Sequence, residues 1–136
     1  MYLKLLYIFI LSSVSLFSLD NFYYSNSKKI YLVPIDNQTL QKKAISKDSV
    51  EVNYYKTQNN TLLGVTNRLI VKFKSLKNNE DILERFNLVM VKNIYANVYL
   101  FKLDDNSKTL DVANELYKLE RVEYAHPNFI REVKKR

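Results

Sequence analysis

The chain holds one histidine, His126, one glycine, Gly64, and no cysteine. A lone histidine cannot supply a pair of imidazole ligands, and it leaves a serine-type triad a single candidate base. No serine elbow or strained glycine turn accompanies His126, which stands at the end of a predicted strand, the setting of a structural or surface histidine. Without cysteine there is no disulfide, no thiolate metal site and no cysteine nucleophile. One glycine cannot build a phosphate-cradling loop or a dinucleotide fingerprint. Asp104 and Asp105 are adjacent carboxylates, but side by side in a loop before a helix they read as a solvated turn rather than an acid–base pair. The reading is a protein that is not an enzyme and holds no cofactor and no metal.

Binding chemistry is the remaining possibility. Net charge is +7, from 21 basic and 14 acidic side chains, which suits acidic partners. The lysines run from Lys28 to Lys135 without a dense block, as on a solvated surface. The 11 Tyr and 7 Phe include candidates for base stacking, yet most fall at strand or helix-stripe positions where packing is their ordinary use. Neither 88–94 nor 97–103 carries a Gly-aromatic-Gly pattern, so nucleic acid is not expected as a partner. Asn37-Gln38-Thr39 and Asn59-Asn60-Thr61 match the glycosylation acceptor, a pattern short enough to recur by chance.

Residues 1–18 have the layout of a secretory signal. Lys4 lies near the start, Leu5 to Leu11 is apolar, and Ser12, Ser13, Ser15 and Ser18 follow as small residues for a peptidase acting after Ser15 or Ser18. The apolar stretch falls short of the roughly 20 residues that span a bilayer. The alternative is a retained anchor, and either places the remaining chain outside the cytoplasm, secreted or periplasmic, with no stable membrane span once the signal is removed.

The elements that must position any site follow from pattern. Phe22-Tyr23-Tyr24 and Ile30 to Val33 predict a hairpin around Ser25 to Lys28, ended by Pro34. Asp36 to Ser49 reads as a connection. Val50 to Tyr55 and Leu62 to Val65 predict a second strand pair around Gln58-Asn59-Asn60. Arg68 to Lys74 predicts a strand, and Asn78 or Asn79 caps a helix to Phe86 with Ile82, Leu83 and Phe86 on one face and Asn87 as a left-handed stop. Leu88 to Ile94 and Asn97 to Leu103 are strands. Leu110, Val112, Ala113, Leu116, Tyr117 and Leu119 stripe a helix over 108–120. Arg121 to Ala125 is the last strand, with Val122 and Tyr124 on one face, broken by Pro127. Strand, helix, strand, strand, helix, strand over 68–129 is the α+β, ferredoxin-like order: one antiparallel sheet with two helices on one face and the other face free. The organisation is a signal at 1–18, a β-hairpin extension at 19–66, the α+β domain at 67–130 and a basic tail at 131–136.

Val122 to Ile130 is a strand running into an extended, Pro-stiffened tail that nothing later in the chain needs for packing. Such a tail either frays or is captured by another protein as an added strand. Here the residues resemble the propeptide of subtilisin-like serine proteases. Arg68 to Lys74 is similar to the first strand of that prodomain. Leu110 to Leu119 with Glu120-Arg121-Val122 is similar to its second helix and following link. Tyr124-Ala125-His126-Pro127-Asn128 is similar to its closing Tyr-Ala-acid-Pro-Asn run. The hairpins from Phe22 to Val33 resemble extensions preceding such prodomains in larger bacterial subtilases.

The resemblance implies a ferredoxin-like prodomain that packs its free sheet face on two protease helices, templates folding, and lays its tail in the substrate groove. His126 and Asn128 would then face those helices, with His126 standing where the family often places an acid. Phe129, Ile130, Arg131 and the remainder to Arg136 would lead into the groove. Since no catalytic regions follow Arg136, the expectation is a secreted inhibitor and folding helper of a separately encoded subtilisin-like protease. The alternatives are an extracytoplasmic module for an unrelated protein partner, or the remnant of a truncated protease gene.

Overall fold

The computed structural model describes residues 21–36 and 51–131. The expected signal, nearly all of the connection after Asp36, and the last five residues with Arg136 lie outside them. Among the described residues no helix is long and apolar enough to cross a membrane.

The described residues are α+β, with antiparallel sheets and two α-helices. The amino-terminal strands form the hairpins that their composition predicts. β1 (Asn21–Ser25) and β2 (Lys28–Pro34) pair antiparallel. Asn26 and Ser27 join them with φ of 49° and 64°, the left-handed pair that matches strand twist. β3 (Asn53–Lys56) and β4 (Leu62–Val65) form the second pair, with Asn60 at φ 65° in their loop. Pro34 ends β2, where its missing N–H costs no ladder bond.

Gly64 lies in the middle of β4, and its lack of a side chain is a packing requirement. A Cβ there would stand 2.8 Å from Val52 Cγ1, 3.1 Å from Tyr54 Cε1 and 3.3 Å from Ile130 Cβ. Gly64→Ala is therefore expected to destabilise the protein by about 1–3 kcal/mol through overpacking. Urea denaturation measures this, and a wild-type midpoint would show that the space is not needed.

From Arg68 the chain builds a second sheet. β5 (Arg68–Phe73) alternates half-buried and buried residues along its length. α1 (Glu80–Arg85) starts after Asn79, carries Glu80 and Asp81 in its first turn, and buries Ile82. Asn87, at φ 51°, turns the chain out of it. Asp81 and Arg121 form an exposed bidentate pair, with Nη1 2.9 Å from Oδ1, and the Arg121 hydrogen bond holds the Asp81 carboxyl below its ordinary value. β6 (Val89–Tyr95) and β7 (Val98–Lys102) form a hairpin. Asp105 then accepts hydrogen bonds from the Ser107 N–H at 2.9 Å and hydroxyl at 2.7 Å, holding the single 3-10 turn that leads into α2 (Thr109–Tyr117). The Thr109 hydroxyl, fully buried, lies 2.7 Å from the Thr66 carbonyl that it donates to. β8 (Val122–Pro127) closes the sheet.

The strand order is β6-β7-β5-β8, and every neighbouring pair is antiparallel. One face carries the core: Leu69, Val71 and Phe73 of β5, Phe101 of β7 and Ala125 of β8, packed with Ile82 and Leu116 from the two helices. The α2 stripe divides its work. Leu116 joins this core, while Leu110 joins a second cluster with Leu32, Leu63 and Val65 of the amino-terminal sheet.

Two expectations are corrected. Val122 and Tyr124 do not share a face: Val122 pairs with Phe73 and Tyr124 with Lys72, so Glu123 is an extra residue in the ladder. This β-bulge turns Val122 inward with Ala125 and Pro127, and turns Tyr124 to the other side with His126. The segment after Pro127 also does not leave the molecule unpacked. Phe129 packs into the second cluster, its ring 4.6 Å from that of Tyr23 at a T-shaped 62°. Ile130 and Arg131 form β9, pairing with Gly64 and Leu63 as the outer strand of a sheet ordered β1-β2-β3-β4-β9. An exposed edge and an aromatic anchor within the chain itself capture the tail.

Candidate functional site

The face of the four-stranded sheet turned away from the helices is organised in three rows. Tyr95, Val98, Lys72 and Tyr124 lie opposite one another across β6, β7, β5 and β8. Lys92, Leu100, Ile70 and His126 form the middle row. Val89, Lys102 and Arg68 form the third, where the Asn128 N–H donates to the Arg68 carbonyl at 2.9 Å.

The first row is buried at its centre. Tyr95 and Tyr124 stand at the two ends of the row, and between them Val98 is only 2% exposed. Burial, then the influence of Tyr95, push the Tyr124 hydroxyl above its ordinary value. Lys72 lies with its ammonium 3.1 Å from Glu123 Oε2 and 5.9 Å from the centre of the Tyr124 ring. The His126 ring stacks on Tyr124 at 5.7 Å and 20°. Its Nδ1 is 3.0 Å from the Pro127 carbonyl, to which the Nδ1–H tautomer donates.

The β6 end of the face is open. All seven residues of β6 are exposed, among them Val89, Met90, Val91, Ile94 and Tyr95. The β6–β7 register slips at Val91 and Ile94, two bulges that twist a sheet edge away from flat pairing. At the β8 end the tip of the β1–β2 hairpin stands beside the face. Tyr24, Asn26, Tyr117, Glu123, Tyr124 and His126 are among the residues lining a cavity there of about 390 Å³. Among the described residues no group of His, Asp and Glu is placed to hold a metal.

The predicted site residues therefore part company. His126 lies on the open face, and Asn128 follows at its corner. Phe129 is half-buried in the second cluster, and Ile130 and Arg131 are in β9. Arg136 lies outside the described residues. Ile70, Lys72, Lys92, Tyr95, Leu100 and Lys102 share the face with His126, and sequence reasoning did not single them out as a site. Their signal was the alternation in 68–73 and 98–102, which becomes a surface only once strand order is known.

An antiparallel sheet with both helices on one side leaves a second face that they do not cover. The chain belongs to the fervidolysin N-terminal prodomain family, whose model matches residues 50–128. It is thus a member of a family of subtilisin-like protease propeptides. The matched span takes in β3 and β4 as well as the four-stranded sheet. No curated protein and no solved structure matches the chain.

Proposed function

We propose that this protein binds and inhibits a subtilisin-like serine protease and assists its folding, as a secreted protein without chemistry of its own. The observation that carries this reading is the sheet face turned away from the helices, where the part-exposed Ile70 lies beside the buried Val98 and Leu100 and is flanked by Tyr95, Tyr124 and His126. Protein-docking surfaces combine such an apolar, aromatic centre with a polar rim. The order of elements over β5 to β8 is read as ferredoxin-like, with the hairpin strands before it as an extension. His126 and Asn128 lie toward the protease. Phe129, Ile130 and Arg131 fix the direction of the exit, and the groove-filling part begins after Arg131 and runs to Arg136.

The test is inhibition. The full chain is added as a separate protein to the purified catalytic domains of the subtilisin-like proteases encoded in the same genome. Competitive inhibition of at least one is the expected result, and inhibition of none overturns the reading. Deleting Glu132 to Arg136 leaves Phe129 and β9 in place. It is expected to weaken inhibition by about 2 kcal/mol, roughly thirtyfold, with an unchanged melting temperature. Equal inhibition by the shortened chain would remove the tail from the mechanism.

A further inference from the structure

The helix side of the four-stranded sheet domain is mixed in charge: Glu80, Asp81, Glu84, Asp111 and Glu115 stand beside Arg85, Lys108, Lys118 and Arg121, the last of which holds Asp81. The open face instead projects Arg68, Lys72, Lys92 and Lys102, and the carboxylate beside them, Glu123, is already held by Lys72. Among the described residues no carboxylate pairs with Arg68, Lys92 or Lys102. Lys92 and Lys102 are exposed and flank Leu100 and Ile70 of the middle row.

Covering this face strips water from several cations. That cost is offset only if the covering surface supplies carboxylates in register with them. A surface offering positive helix amino termini would be repelled here. Resting on the docking role above, we propose that the partner surface is acidic: a subtilisin-like catalytic domain that presents carboxylates to Lys92, Lys102 and Arg68 around the part-exposed Ile70. The same cations would attract nucleic acid, so RNA is an arm of the test.

The experiment measures association of the full chain with the catalytic domain it inhibits, across a salt series, and with a single-stranded RNA oligonucleotide in parallel. The association rate with the protease is expected to fall about tenfold or more between about 50 and about 300 mM salt. The double variant Lys92→Glu/Lys102→Glu is expected to lose most of that dependence and to associate about tenfold more slowly at low salt. The neutral pair Lys92→Gln/Lys102→Gln should fall between, and Lys108→Glu/Lys118→Glu, away from the face, should match wild type. If inhibition persists while rates ignore salt and both charge variants, the acidic partner surface is wrong and the inhibitor role stands. If no protease is bound at all, both fail. RNA binding tighter than protease binding, abolished by the same reversals, assigns the cations to nucleic acid and overturns the proposal.

Discussion

Phe101→Ala is expected to lower the unfolding free energy by about 3–5 kcal/mol, the range for an aromatic ring deleted from a packed core. Phe101 is 1% exposed on the central strand β7. Its ring meets Phe73 edge-on at 6.2 Å and lies 5.8 Å from Tyr99. The ring faces the helices from the strand that also carries Leu100 on the opposite side, so its loss loosens the sheet under both surfaces. A domain of this size is stable by about 5–15 kcal/mol, so the loss takes a large share of the whole. Urea denaturation with an unchanged slope measures it, and a loss below about 1 kcal/mol would place the ring outside the core.

The second large effect lies at Phe129. Its half-buried ring packs edge-on against Tyr23 in the cluster that joins the amino-terminal sheet to α2 through Leu110. Phe129→Ala is expected to cost about 2 kcal/mol, less than a fully buried ring. It should also release Ile130 and Arg131 from β4, because two residue pairs do not hold a strand alone. Hydrogen exchange at the Ile130 and Arg131 amides would report the release, and Phe129→Leu should restore most of the protection. Unchanged exchange in Phe129→Ala would show that the backbone ladder, not the ring, retains the tail. The prediction bears on function because it separates the anchored part of the exit segment from whatever reaches a protease groove.

What the sequence made legible was local. Asn26 and Ser27 between two aromatic runs announce their hairpin, Asn87 announces the end of α1, and Leu110, Ala113 and Leu116 announce the buried stripe of α2. What it concealed depends on pairings between distant residues. The bulge at Glu123 exists because Phe73 and Lys72 lie opposite Val122 and Tyr124, and period-two alternation read along one strand alone cannot show it. β9 exists because Gly64, far back in the chain, leaves a bare edge that Ile130 can approach. The open face was legible only at His126, and there through the resemblance rather than through its strand. Lys92, Tyr95, Lys102 and Tyr124 joined it only through the order of the four strands. The slips at Val91 and Ile94 hid even the alternation in β6.

The tyrosine pair at the ends of the Val98 row has a practical use. The chain contains no tryptophan, so its ultraviolet emission comes from phenols, and Tyr95 and Tyr124 lie on the face proposed to meet the partner. A tryptophan-containing enzyme settling there would drain that light by energy transfer, and complex formation could be followed in real time without attaching any dye.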